Sequence, residues 1–230
     1  MPDSLQIAGV VLAYLIGSIP TAVWVGKIFY QTDVREHGSG NAGATNTFRV
    51  LGKKAGIFVL LFDVFKGVLA VLLAGYFSAF EPQEVKYVNF QLALGVAALL
   101  GHIFPVYAGF RGGKGIATLL GIMLAIHPQA ALSCIGIFLV VFLLTRYVSL
   151  GSIVASVCFP LIVILVYQSR VPSLVIFSIF IAVMVIITHQ KNIERLIRRD
   201  ENKANLRLIR SRSEKYSSEE DYEEPDEDDD

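Results

Sequence analysis

Seven apolar stretches that carry almost no charged residues divide the first 190 residues of the chain. An apolar run of about 20 residues can cross the roughly 30 Å hydrocarbon core of a bilayer as a helix. The fourth and fifth stretches are short, so a re-entrant hairpin there is an alternative to two full spans. The pattern predicts an all-α, polytopic membrane helical bundle with seven transmembrane helices, or with five and a hairpin. The stretches are Leu5–Gly26, Ala55–Phe80, Val88–Val106, Ile116–Ile126, Ala130–Thr145, Val148–Val166 and Val171–Thr188.

The composition agrees with a membrane protein. Of the 230 residues, 54% are hydrophobic and 17% are charged, and the mean hydropathy is +0.58. Because a soluble domain is about one quarter charged, these values argue against a soluble enzyme. Cys134 and Cys158 lie in apolar runs without metal-ligand spacing, which favours neither a disulfide framework nor a zinc site.

Basic residues between the stretches predict the orientation, because Lys and Arg near span ends are kept on the cytoplasmic side. The connectors after the first, third and fifth stretches hold eight of them, whereas the alternate connectors hold only Lys86 and Arg170. The N-terminus is therefore predicted outside and the C-terminus in the cytoplasm, with all the Gly-rich connectors on the cytoplasmic face. The eight are Lys27, Arg35, Arg49, Lys53, Lys54, Arg111, Lys114 and Arg146.

The chain divides into three predicted regions. Residues 1–190 form a transmembrane domain that carries the candidate catalytic groups. Residues 191–218 begin with a basic run, which is typical of a cytoplasmic segment lying against anionic lipid. From Glu219 to Asp230, ten of twelve residues are acidic, which predicts a disordered tail without a catalytic role. The basic run contains Arg195, Arg198, Arg199, Arg207, Arg210 and Arg212.

The first polar cluster, Arg35–Asn46 followed by Arg49, is rich in Gly, Ser and Asn. Its glycines match the dinucleotide pattern G-x-G-x-x-G. It follows a membrane helix instead of a strand, however, and the acidic residue that would complete the pattern, Asp63, lies in the next apolar stretch, so no βαβ unit fits. Such residues allow backbone amides to converge on an anion, and Arg49 adds a positive charge. An ordinary flexible loop is the alternative.

The second cluster combines Gly101–Pro105 with Phe110–Gly115. It is not a P-loop, since Lys114 is followed by Gly115 and not by Ser or Thr. Free amides, a helix N-terminus and the Lys114 charge together favour a phosphate ligand. A tight connector that merely carries a topology signal is the alternative.

The third cluster lies where the last apolar stretch ends. His189 and Asn192, spaced i, i+3, share a helical face and could point back into the bundle. A lone His at the membrane interface is more often a polar tip than a catalyst, which is the alternative. Arg195 and Arg199 are predicted to lie at the lipid surface.

Two polar pairs lie at or near membrane depth. Asp63 and Lys66 are predicted to pair and to hold the second span against the first cluster, because an unpaired charge there costs about 2.5–3.5 kcal/mol. Ser149 and Ser152 could donate hydrogen bonds to a substrate, although small hydroxyl residues also pack membrane helices.

Two basic anion sites at one face of a membrane bundle indicate a substrate with a phosphate and an acyl chain. The chain has no G-x-S-x-G elbow, no H-E-x-x-H pair and no His-x-x-x-x-Asp motif. Once these mechanisms are set aside, direct transfer of an acyl group from an activated donor to a hydroxyl is the reaction that remains. A transporter or flippase of an organic phosphate would also use basic, Gly-rich breaks, and a lipid-binding scaffold is a third interpretation.

These clusters resemble the three motifs of the bacterial membrane acyl-phosphate:glycerol-3-phosphate acyltransferases. The resemblance covers about residues 5–201 in the same order. This chain has Arg199 where the third motif of the family has Gly, and the acidic run at the end lies outside the resemblance. The matching segments are Gly38–Asn46 with Arg49, Gly101–Pro105 with Phe110–Gly115, and His189–Leu196.

The resemblance implies a seven-helix enzyme of the bacterial inner membrane with its active site on the cytoplasmic face. Such an enzyme passes a fatty acyl group from acyl-phosphate to the 1-hydroxyl of glycerol-3-phosphate, giving lysophosphatidic acid and phosphate, the first acylation of phospholipid synthesis. It implies no metal, no cofactor and no nucleic acid partner. It leaves open an association with the enzyme that makes acyl-phosphate.

The resemblance also implies roles for individual residues. Catalytic roles fall to Ser39, Arg49, Lys114, His189 and Asn192. Substrate-binding roles fall to Gly40, Asn41, Asn46, His102, Gly112, Gly113, Gly115 and Ser152. Structural roles are expected for Asp63, Lys66 and Glu201.

Overall fold

The computed structural model describes residues 3–82 and 84–204, and this part of the chain is built from helices and their connectors, without a strand. The predicted all-α architecture is therefore confirmed for these residues. Arg207, Arg210, Arg212 and the acidic run 219–230 lie outside them. The eleven α-helices of the described part are α1 (Ser4–Gly17), α2 (Thr21–Tyr30), α3 (Ala44–Leu51), α4 (Lys53–Leu72), α5 (Ala74–Phe77), α6 (Val85–Ile103), α7 (Ile116–Ile126), α8 (Pro128–Thr145), α9 (Val148–Leu161), α10 (Pro172–Thr188) and α11 (Gln190–Ile197).

Helix length limits how often the described chain can cross a bilayer. The two bent pairs, α1 with α2 at 41° and α10 with α11 at 62°, would raise the number of candidate spans from four to six if each pair is one span. The fourth predicted stretch is α7, whose 11 residues reach only about 16 Å. The four single spans by length and apolar character are Lys53–Phe77, Val85–Ala108, Pro128–Thr145 and Val148–Val166.

The first predicted span is broken at Ser18–Pro20. The proline disfavours helical backbone at Ile19, whose carbonyl oxygen accepts a hydrogen bond from Lys66 Nζ at 2.9 Å. Lys66 pairs with Asp63 at 2.8 Å, both side chains being 2% exposed, and Asp63 also accepts from Thr21 Oγ1 at 3.0 Å. The predicted intramembrane pair is present. It holds α4 against this break, and not against the first Gly-rich cluster, because the carbonyl that Lys66 binds lies in the break.

Glycines allow two pairs of helices to approach closely. Gly67 of α4 lies against the backbone of α7, and Gly121 of α7 lies against the backbone of α4. Gly17 of α1 and Gly101 of α6 make the same reciprocal contact. Small residues serve this purpose in membrane bundles, where close packing replaces the hydrophobic effect as the force between helices. The four helices therefore form a rigid base for the loops at their ends.

Apolar side chains cover both the interior and the outer surface. The main core lies between α6, α7, α9 and α10, where Ile122 and Ile181 are buried. Outside, large side chains such as Leu144, Leu61 and Ile176 are exposed. Soluble monomers rarely expose apolar side chains on this scale, so the outer surface is suited to the acyl chains of a bilayer.

Candidate active site

Lys114, Asn192 and Glu201 form a chain of polar contacts at one end of the bundle. Lys114 Nζ donates to Asn192 Oδ1, and Asn192 Nδ2 donates to Glu201 Oε1 at 2.6 Å. The same carboxylate accepts from Ser149 Oγ at 2.8 Å and from Arg195 Nε at 2.6 Å. These contacts join the loop before α7 to the start of α9 and to α11. The second and third sequence clusters therefore meet in space.

The bend between α10 and α11 turns the third cluster inward. His189 and Asn192 are both buried, as predicted for side chains that point into the bundle. His189 Nδ1 lies 2.9 Å from the carbonyl oxygen of Val185. Because a carbonyl oxygen only accepts, this contact places the proton on Nδ1 and leaves the lone pair on Nε2.

Positive charge accumulates around Lys114. Burial lowers the pKa of Lys114 to about 8, and the charges of Arg195 and Arg49 lower it further, while Glu201 opposes them. Arg49 is exposed on α3, so this electrostatic effect links the first cluster to the other two. An anionic ligand would relieve the mutual repulsion of these cations. The site is therefore suited to phosphate.

Arg195 differs from its predicted place at the lipid surface. It is bound to Glu201 because the segment after α11 folds back and brings that carboxylate to it. Burial acts to raise the pKa of Glu201, but hydrogen bonds from Arg195, Asn192 and Ser149 outweigh burial and lower it. Glu201 is thus an ionised carboxylate that accepts hydrogen bonds from three side chains. Arg199 is exposed.

The loop before α7 folds back over the end of α6. Gly112 N donates to the carbonyl of Ile103 at 3.1 Å, and Gly113 N donates to that of His102 at 3.2 Å. The prediction that free amides cradle a phosphate is wrong at these two positions, because unpaired carbonyls at the helix end take them. The His102 ring and the Ala42 carbonyl occupy the space that a side chain at Gly113 would need. The loop therefore presents Lys114 from a tightly packed backbone.

His102 lies buried beneath this loop. Its Nδ1 is 3.0 Å from Thr118 Oγ1 and 3.8 Å from Asp63 Oδ1. The ring therefore connects the buried Asp63–Lys66 pair to the loop that carries Lys114. This position makes His102 a support of the loop, and the substrate-binding role expected for it stays a prediction.

Asn46 organises the loop ahead of α3 in the first cluster. Its Oδ1 accepts from Ser39 N at 2.8 Å, and its Nδ2 donates to the carbonyls of Val34 at 2.7 Å and His37 at 3.1 Å. Asn46 is buried, and both of its amide hydrogens are used within the loop. Ser39 and Gly40 are exposed and Asn41 is half-buried, so these three residues are more accessible than Asn46.

Asp33 and Arg35 join the first cluster to the second, a contact that the sequence patterns did not predict. Arg35 binds both carboxylate oxygens of Asp33, at 3.0 and 2.7 Å. Its third nitrogen donates to the carbonyls of Ala108 at 2.9 Å and Arg111 at 3.3 Å. An acid and a base two residues apart were the only signal of this contact in the sequence.

Ser152 and Arg199 are two further residues to which the sequence patterns pointed. Ser152 donates to the carbonyl of Val148 at 3.0 Å, within its own helix, whereas its neighbour Ser149 reaches Glu201. Arg199 has a φ of 58°, the left-handed conformation that favours Gly. This explains why the family pattern has Gly there. Among the described residues, no group of His, Cys, Asp or Glu side chains could hold a metal ion.

The chain matches known proteins over most of its length. Residues 7–199 match the family model described as Glycerol-3-phosphate acyltransferase. The chain belongs to the glycerol-3-phosphate acyltransferase family. The glycerol-3-phosphate acyltransferase of Chlorobaculum tepidum is 42% identical over 221 residues, which cover 86% of this chain and 95% of that protein. The one of Trichlorobacter lovleyi is 46% identical over 191 residues, with coverages of 83% and 93%.

Two solved structures of PlsY, an integral membrane glycerol 3-phosphate acyltransferase, have the same fold. The glycerol 3-phosphate form is 36% identical with a TM-score of 0.79, and it aligns with 89% of this chain and 98% of its own. The lysophosphatidic acid form is 35% identical with a TM-score of 0.74, covering 87% and 95%. Together with the apolar outer surface, this likeness identifies a multi-pass membrane protein of the acyltransferase family.

Proposed function

We propose that this protein transfers a fatty acyl group from acyl-phosphate to the 1-hydroxyl of glycerol-3-phosphate, releasing lysophosphatidic acid and phosphate. The observation that carries the proposal is the contact of Lys114 with Asn192, which in turn binds Glu201, within the electrostatic reach of Arg49 and Arg195. Membership of the acyltransferase family and the likeness to a relative crystallised with glycerol 3-phosphate support the acceptor.

Binding of the two substrates aligns their phosphates. Arg49 and Lys114, with the exposed loop at Ser39, bind the negative charge of the phosphates. His189 and Asn192 shape the space in which the acyl carbonyl and the hydroxyl meet. Correct alignment alone supplies a large share of such a rate enhancement, about 7–11 kcal/mol in well-oriented intramolecular reactions.

The reaction is a direct acyl transfer. The 1-hydroxyl oxygen attacks the acyl carbon, the bond from that carbon to the phosphate oxygen breaks, and phosphate leaves with the bonding electron pair. The hydroxyl proton passes to a substrate phosphate or to Nε2 of His189. Because phosphate is a good leaving group, the protein mainly stabilises the tetrahedral oxyanion with fixed donors, each worth roughly 2.7–4 kcal/mol. Ser39 takes part as a hydrogen-bond donor and forms no acyl-enzyme.

The proposal includes a place in the cell. The chain would cross the bacterial inner membrane seven times, with α7 as the shortest crossing, an external N-terminus and the site on the cytoplasmic face. Eight basic residues in alternate connectors support this orientation. Association with the enzyme that makes acyl-phosphate would deliver a reactive donor directly to this face.

A donor comparison tests the proposal. Purified protein in detergent is mixed with glycerol-3-phosphate and either palmitoyl-phosphate or palmitoyl-CoA, and lysophosphatidic acid and phosphate are measured. Product is expected from palmitoyl-phosphate alone. Product from palmitoyl-CoA alone would overturn the donor, and uptake of labelled glycerol-3-phosphate into vesicles without any product would favour a transporter.

A variant of Lys114 distinguishes a loss of catalytic activity from a loss of folding. Lys114→Ala should abolish turnover but leave the melting transition in detergent unchanged, because turnover depends on the positive charge of Lys114 and folding does not. Arg170→Gln, at the opposite end of the bundle, is the matched control and should retain full activity. Near-normal activity of Lys114→Ala would refute the assigned site.

A further inference from the structure

We propose that Arg35, held in place by Asp33, is a positioning residue that sets the spacing between the loop of Ser39 and the loop of Lys114. The inference rests on the proposed function. It extends that function to a pair of residues to which neither the sequence motifs nor the catalytic step assigns a role.

The guanidinium of Arg35 is fixed on both sides. Nε and one amino group bind the two carboxylate oxygens of Asp33, and the other amino group binds the carbonyls of Ala108 and Arg111. Asp33 is in turn held by the backbone amide of Arg35 at 3.0 Å and by Lys27 Nζ at 3.3 Å. Since both partners are largely buried, the bridge has little freedom to move.

The two ends of this bridge lie close in sequence to the groups that bind phosphate. Arg35 is four residues before Ser39, in the loop whose shape Asn46 holds. Arg111 is three residues before Lys114, in the loop that folds back over α6. A shift of either loop would change the distance between Ser39 and Lys114.

A guanidinium is the group that suits this place. It has a planar fork of donors that can bind a carboxylate with two bonds and still reach two carbonyls, whereas a lysine ammonium is a single point. The hydrogen bonds from Arg35 hold the pKa of Asp33 well below its usual range, and Asp33 raises the pKa of Arg35. The pair therefore stays charged at every pH at which the protein works.

Kinetics of Arg35 variants test the proposal. Arg35→Lys keeps the charge and loses the bridge, and Arg170→Gln is the control. Because a misplacement of about 1 Å can cost roughly a hundredfold in rate, kcat/KM for glycerol-3-phosphate should fall about 10- to 100-fold, mainly through KM. The melting transition should stay close to that of the parent protein. A loss of activity that only follows the folded fraction would overturn the proposal.

A distance measurement tests the same geometry without activity. Spin labels are attached at Thr45→Cys and Val106→Cys, two exposed positions on either side of the bridge, in a protein with Cys134→Ala and Cys158→Ala. The distance distribution should broaden with Arg35→Ala and should not change with Arg170→Gln. An unchanged distribution would overturn the role of Arg35. If Arg35→Ala broadens the distribution but the parent protein has no acyltransferase activity, the proposed function is overturned and the role of Arg35 in spacing the loops is kept.

Discussion

At the scale of single residues, the charge of Lys114 depends on its burial. Its pKa is lowered to about 8, chiefly by burial. Above this pH the free enzyme loses the cation, so kcat/KM for glycerol-3-phosphate should fall as the pH rises through about 8. A pH profile of kcat/KM in detergent measures this.

Lys114→Arg provides the contrast for this profile. Because a guanidinium keeps its proton at any working pH, the alkaline decline should disappear, even if the maximal rate is lower. A decline at the same pH in this variant would show that another group titrates and would contradict the prediction for Lys114.

Arg199 carries a conformational cost that glycine would not. A non-glycine residue in the left-handed region costs roughly 1–2 kcal/mol, and this φ is 58°. Arg199→Gly should therefore stabilise the protein by about 1 kcal/mol, after the entropy that glycine adds to the unfolded chain. A higher midpoint of thermal unfolding in detergent is the measurement.

The preceding residue is the matched control for this change. Arg198 is also exposed but has a φ of −77°, so Arg198→Gly relieves no strain and should not stabilise. Equal stabilisation by both changes would point to the loss of positive charge and would refute the conformational explanation.

Residue types with local signatures could be predicted from the sequence, and residues whose partners are distant could not. Asp63 and Lys66 lie one turn apart in an apolar run, so each indicates the other as its partner. Arg35 instead binds carbonyls 73 and 76 residues away, and carbonyls have no sequence signature. The partner of Arg195 is only six residues away, but it reaches Arg195 because the chain folds back after α11, and that turn has no clear signal in the sequence.

At the scale of helices, the contact of α4 with α7 depends on Gly121. A side chain there would strike the backbone of α4 near Val64. Gly121→Leu should therefore push the helices apart, destabilise the protein by about 1–3 kcal/mol and lower activity, because α7 carries Thr118, which holds His102. Unfolding and turnover in detergent are the measurements.

A glycine without close neighbours provides the control for this prediction. Gly136 lies in α8, and no atom lies within 4 Å of the space its side chain would take. Gly136→Leu should leave stability and turnover unchanged. A similar loss in both variants would mean that helix backbone effects, and not the contact between α4 and α7, account for the change.

Helix positions followed hydropathy closely, and helix breaks did not. The stretch predicted over Ile116–Ile126 has the same bounds as α7. The break at Ser18–Pro20 was missed, because an apolar composition continues across it. Its cause is a proline together with a buried lysine that binds the freed carbonyl, which requires the contact between α1 and α4.

At the scale of the whole molecule, the proposed orientation can be tested with two cysteines. Thr45 and Glu84 are exposed in connectors that the proposed orientation places on opposite sides of the membrane. In a protein with Cys134→Ala and Cys158→Ala, Thr45→Cys should react with an impermeant maleimide only in inverted vesicles, and Glu84→Cys only in intact spheroplasts. The opposite pattern would place the N-terminus inside and contradict the proposed orientation.

The unequal lengths of α7 and α8 have a consequence for a lipid donor. The two helices share the turn at His127, yet α8 has 18 residues and α7 has 11, so the start of α7 falls short of the end of α8 by about 10 Å. If α7 and α8 both cross the bilayer, as in the proposed orientation, the loop of Lys114 lies at the depth of the acyl chains. Withdrawing a sixteen-carbon chain into water would cost about 0.8 kcal/mol per methylene, more than 10 kcal/mol in all. If the acyl-phosphate group of the donor reacts at this depth, its acyl chain stays in the bilayer. Only the water-soluble acceptor then has to diffuse to the site.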